Sequence, residues 1–199
     1  TGVQTCALPI FDITSTAGTG FSATGGGTVN VTGAGNSISS GTGTAVNIAN
    51  TTIGASGVRF DSTSSSGASS GIILNNTGAG TFSVVGSSFI PNSGGQIANS
   101  TGTAGVLLTN TGPVSFIGLS VIGSANDGIN GSNVNGLVLN NVIASNNGNA
   151  AGERGVYING LTGTATITAS SFSGNADHNV NLINNGGTLN LTVTTSTVS

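Results

Sequence analysis

One short pattern recurs along this chain, and it restricts the fold more than any other feature. It appears as AVNIANT (45–51), GIILNNT (71–77), GVLLTNT (105–111), GINGSNV (128–134), GVYINGL (155–161) and NVNLINN (179–185), with starts 26, 34, 23, 27 and 24 residues apart. Within the repeats the apolar residues alternate: Val46/Ile48, Ile72/Leu74, Val106/Leu108, Val156/Ile158 and Val180/Leu182. A period of two places one face of each segment in a core. A second alternating run follows each first one, with the pairs Val29/Val31, Val58/Phe60, Phe82/Val84, Val114/Phe116, Leu137/Leu139, Ala165/Ile167 and Leu189/Leu191. A third, weaker strand carries Phe89, Val121, Val142 or Ile143, and Phe172. A unit this small cannot bury its own apolar face, so copies must stack. The expected fold is all-β: a single-stranded parallel coil of about seven turns, the first starting near Gly20. At ~4.8 Å per turn its length is roughly 34 Å.

Two columns of side chains follow from stacking. Five residues after each pattern start stand Asn50, Asn76, Asn110, Asn133, Gly160 and Asn184. Asn tolerates left-handed turns, and its amide both donates and accepts, so Asn50, Asn76, Asn110, Asn133 and Asn184 are expected to form a ladder along the axis. Just ahead of three patterns lie AND (125–127), GER (152–154) and ADH (176–178). Stacking would gather Asp127, Glu153, Arg154, Asp177 and His178 at one corner. That is five of the eight Asp, Glu, Arg and His side chains in the chain.

Composition narrows the function. Charged residues make up only 4% of the chain and the net charge is −3. Arg59 and Arg154 are the only permanent cations, which excludes the basic stripe of a nucleic-acid binder. No apolar run approaches the ~20 residues of a membrane-spanning helix. His178 is the only histidine, too few nitrogen ligands for zinc. No cofactor is called for. The acidic corner is at most a weak Ca²⁺ site, because calcium takes six to eight oxygens.

The stretch Ser132–Asn175 resembles the right-handed parallel β-helix repeats of large bacterial secreted and surface proteins, and the likeness runs from about Gly20 to Ser199. That resemblance implies a right-handed coil in an exported protein, serving as a stalk or in adhesion, with glycans or other cell-surface material as partners. Some β-helices are instead polysaccharide lyases or hydrolases. In such an enzyme the corner residues Asp127, Glu153, Arg154, Asp177 and His178 would supply acid, base and ion-pairing groups. The nearest strings, NDG (126–128) and DHN (177–179), do not match the polygalacturonase-like motifs. The favoured expectation is therefore a structural or adhesive segment with weak glycan binding, and a carbohydrate-active enzyme is the alternative.

The first ten residues, TGVQTCALPI, stand apart from the repeats and hold the only cysteine, Cys6. They resemble a translated sequencing-adapter oligonucleotide, which implies a non-native segment at 1–10, ahead of a repeat region at 11–199. The chain stops in LTVTTSTVS with strand character and no charged cap. The coil is thus expected to have uncapped ends and to be a slice of a longer chain. The longest repeat, Gly71 to Ala104, is expected to eject PNSGGQIANSTGTA (91–104) as a surface loop.

Overall fold

The computed structural model describes residues 11–199, so the proposed adapter segment with Cys6 lies outside the described residues. The chain is all-β, and its strands pair in parallel to form a β-solenoid of about seven turns. Each turn contributes to three faces. The first face is an eight-stranded sheet of β1 (Asp12–Ser15), β4 (Ser37–Ser40), β7 (Ser62–Ser66), β10 (Gln96–Ala98), β13 (Ser120–Ile122), β15 (Ile143–Ser145), β17 (Ser171–Ser173) and β20 (Thr197–Val198). The second holds β2 (Phe21–Thr24), β5 (Val46–Ala49), β8 (Ile72–Gly78), β11 (Ala104–Thr111) and β18 (Val180–Ile183). The third holds β3 (Thr28–Val31), β6 (Thr52–Phe60), β9 (Phe82–Val85), β12 (Val114–Ile117) and β19 (Leu189–Thr194). The strands β14 (Asp127–Asn140) and β16 (Val156–Thr168) run through the corner and serve both of these faces.

The register follows the alternating apolar residues. Val46 pairs with Ile72, Ile72 with Val106, Val106 with Ile129, Ile129 with Val156 and Val156 with Val180. These residues are buried, apart from Val180 in the last turn, which is partly covered. Where Gly131 replaces the second apolar residue, the space its missing side chain leaves is taken by Ile158, whose Cδ1 stands 2.5 Å from where a Cβ would lie. On the third face Phe60, Phe82 and Phe116 stack through the interior at 6.2 and 6.3 Å between centroids, and Phe21 and Phe11 extend the stack at the first turn. One column of rings thus links five neighbouring side chains without any charge.

Four details depart from the sequence reading, the first in β15, where Ala144, and not Val142 or Ile143, is the register partner of Val121 and Phe172. In the longest repeat the first-face strand is β10, and its inward residue is Ile97, fully buried between β7 and β13. Phe89 is not in a strand at all and is 90% exposed, with Ile90 at 62%. The excursion therefore occupies residues 86–95, and most of 91–104 returns to the coil. Hydrogen bonds hold it down: Ser93 Oγ accepts from the Ser87 amide, and Asn141 Nδ2 donates to Ser87 O at 3.2 Å.

The other two departures are register shifts on the third face. Val31, and not Val29, pairs with Val58, because β6 carries extra residues between Ile53 and Val58, with Gly57 at φ 76°. Ala165 pairs with Leu191 and Ile167 with Val193, while Leu189 stands beside Gly163. The extra residues lie between β18 and β19, where Gly186 and Gly187 take positive φ.

Candidate functional site

The charged corner lies between the first and second faces, and the backbone assembles it. The Gly128 amide donates to Arg154 O at 2.8 Å, Gly155 to His178 O at 3.0 Å, and Asp177 to Glu153 O at 2.8 Å. These bonds stack the turns carrying Asp127, Glu153–Arg154 and Asp177–His178. Each carboxylate is then engaged locally. Asp127, only 7% exposed, accepts from the Arg154 amide through Oδ1 at 2.6 Å and from Asn130 Nδ2 through Oδ2. Glu153 Oε2 accepts the amides of Asn149 and Ala150, closing the turn 149–153 on itself. Asp177 Oδ2 stands 3.8 Å from Arg154 Nε and 3.0 Å from His178 Nδ1. The Arg154 guanidinium lies over the Tyr157 ring, 4.2 Å from its centroid, a cation–π contact.

Chemically, this arrangement ties the turns together. A buried carboxylate needs its lone pairs satisfied, and Asp127 meets that need with a backbone amide and a side-chain amide. Asp177 bridges the cation of the turn below and its own neighbour His178. Among the described residues no three of His, Cys, Asp and Glu are grouped to hold a metal ion. Asp127 and Glu153 Oε2 bond backbone amides, whereas Asp177 Oδ2 faces the side chains of Arg154 and His178.

The ladder positions separate into two groups. Asn76 Nδ2 donates to Asn50 Oδ1 at 2.8 Å, Asn110 to Asn76 at 2.8 Å, and Asn133 to Asn110 at 2.9 Å. All four are left-handed, with φ between 49° and 55°, and Gly160 continues the column at φ 85°. Asn184 does not join them. Its Nδ2 donates to Leu161 O and its Oδ1 accepts the Gly186 amide, because Gly160 offers no amide above Asn133.

A second amide chain, which sequence reasoning missed, runs two residues beyond the first-face strands. Asn147, fully buried, accepts from the Ser124 amide at 3.0 Å and donates to Val121 O at 3.1 Å. It also donates to Asn175 Oδ1 at 2.9 Å, and Asn175 Nδ2 donates to Asn179 Oδ1 at 2.7 Å. The signal was the offset of 28 that Asn147 and Asn175 share with Ala144 and Phe172.

A further surface feature is a shallow cleft on the first face, about 250 Å³, lined by Ser39, Ser64, Ser66 and Gln96 among others. Ser39 pairs with Ser64 on successive turns, so the hydroxyls are aligned along the axis. Comparison with descriptions of protein families, with curated proteins and with solved structures returns no match to this chain. Fold and site together define a β-solenoid with a corner at which Asp127 and Glu153 bond neutral amides and Asp177 meets Arg154 and His178.

Proposed function

We propose that this chain is a structural and adhesive rod segment of an exported bacterial surface protein, with weak glycan binding on its hydroxyl-lined face. The observation that carries this reading is the state of the charged corner. Both oxygens of Asp127 are taken by neighbouring groups, and Asp177 is shared by Arg154 and His178. A catalytic pair needs carboxyls that face a substrate, and Asp127, 7% exposed, has both its oxygens engaged by its own chain. The aligned Ser39, Ser64 and Gln96 offer a sugar only neutral donors and acceptors, which suits weak binding. Export and the bacterial source rest on the resemblance of the repeats.

The second reading, a lyase or hydrolase, draws on the clustering of Asp127, Glu153, Arg154, Asp177 and His178 at a single corner. One experiment separates the two. The purified chain is incubated with acidic and neutral polysaccharides, product ends are counted, and binding is followed on a glycan array. The rod reading predicts no cleavage, together with weak array signals that fall in a Ser39→Ala/Ser64→Ala variant. Cleavage that Asp177→Ala abolishes would overturn it in favour of the enzyme.

A further inference from the structure

We infer that Asn135–Gly136 is a self-modification site, at which the fold directs conversion of a side-chain amide to a carboxylate ahead of every other Asn-Gly pair in the chain. Five asparagines precede a glycine: Asn130, Asn135, Asn147, Asn159 and Asn185. Glycine has no side chain to hinder attack by its own backbone nitrogen, and its φ is unrestricted. All five pairs thus carry the same local chemistry, and the fold separates them. Asn130 Nδ2 donates to Asp127 Oδ2. Asn147 is fully buried and donates to Val121 O and Asn175 Oδ1, while the Gly148 amide donates to Ser124 O. Asn185 Nδ2 donates to Asn159 Oδ1, and the Gly186 amide donates to Asn184 Oδ1.

Asn135 differs from these four. It is exposed, and among the described residues its side-chain amide makes no hydrogen bond. Gly136, at φ 95°, sits where the register slips: Asn135 pairs with Thr162 and Leu137 with Ala165, so Gly136 has no register partner in the turn above. Gly163 in that turn also leaves the site open. The point where a Cβ on Gly163 would stand is 2.5 Å from Asn135 Oδ1 and 3.4 Å from the Gly136 nitrogen. The side-chain carbonyl and that nitrogen therefore border one vacant spot. The Gly136 nitrogen gives its proton to solvent base and attacks Asn135 Cγ. The new N–Cγ bond closes a five-membered succinimide, the Cγ–Nδ2 bond breaks, and Nδ2 leaves as ammonia. Water then opens the ring at either carbonyl, leaving an aspartate or an isoaspartate. Either product adds one negative charge to the chain. The isoaspartate also adds a methylene to the backbone between Val134 and Leu137, which are both buried.

The test is peptide mapping of the folded chain after prolonged incubation in mildly alkaline buffer, with fragmentation that separates aspartate from isoaspartate. A parallel sample is held unfolded in guanidinium chloride. In the folded chain, conversion at Asn135 is expected to run at least tenfold faster than at Asn130, Asn147, Asn159 or Asn185. In the unfolded sample the five pairs are expected to convert at comparable rates, because local sequence alone then decides. Any of the other four leading in the folded chain, equal rates at all five, or an intact Asn135 over the time in which the unfolded sample converts would each overturn the inference. The same preference for Asn135 in the unfolded sample would overturn it as well, since the fold would then have no part in the choice.

Discussion

At Asn110 one side chain serves two purposes: it tolerates φ 49°, and its amide bonds the turn below and the turn above. The two contributions can be separated. Asn110→Gly keeps the left-handed backbone accessible and removes two exposed hydrogen bonds. Asn110→Ala removes the bonds and keeps a Cβ in a backbone conformation that disfavours L-residues by about 1–2 kcal/mol, without the side-chain amide that lets Asn tolerate it. Urea denaturation should show both variants destabilised, with Ala worse than Gly by about 1 kcal/mol. Equal losses would mean that the backbone conformation contributes nothing. The converse change is available at Ala169, a non-glycine at φ 49° in the turn after β16. Ala169→Gly should raise stability by about 0.5–1 kcal/mol, read as a higher urea midpoint with an unchanged slope.

At the scale of elements, the buried amide chain behaves unlike the exposed ladder. Asn147→Ala would leave the Ser124 amide without its partner inside the coil, and an unsatisfied buried group costs about 1–3 kcal/mol. The loss should therefore exceed that of Asn110→Gly, and hydrogen exchange at the Ser124 amide should accelerate. How far elements were legible in the sequence depended on their length. Second-face strands could be read because a pair of inward residues two apart recurs in nearly every turn. The short β10 could not, since Ile97 is its one fully inward apolar side chain and the bulkier Phe89 lay nearby in a more conspicuous context. The third-face shifts at Val31/Val58 and Ala165/Leu191 were hidden for a different reason: glycine-containing insertions changed the offset between faces, and a constant offset cannot register that. The charged corner was legible as a position. The bonds its side chains make were not, because whether Glu153 reaches across turns or back to Ala150 depends on the local turn at 149–153.

As a whole molecule the chain is quasi-one-dimensional: each turn rests only on its neighbours, and the apolar interior replaces charge as the source of cohesion. Such a rod can present aligned neutral groups over its length, which is what the proposed adhesive role requires. It also predicts that register partners far apart in sequence are close in space everywhere along the axis. The most direct test uses paired cysteines in a Cys6→Ser background. Ser83 and Ser115 are register partners on β9 and β12, and Val138 on β14 is the next step up from Ser115. One turn, ~4.8 Å, suits a disulfide, whereas two turns exceed the ~7 Å Cα limit. Mild oxidation should link Ser83→Cys/Ser115→Cys within one chain and leave Ser83→Cys/Val138→Cys reduced. Equal linking of both pairs, or linking of the second alone, would contradict turn-on-turn stacking.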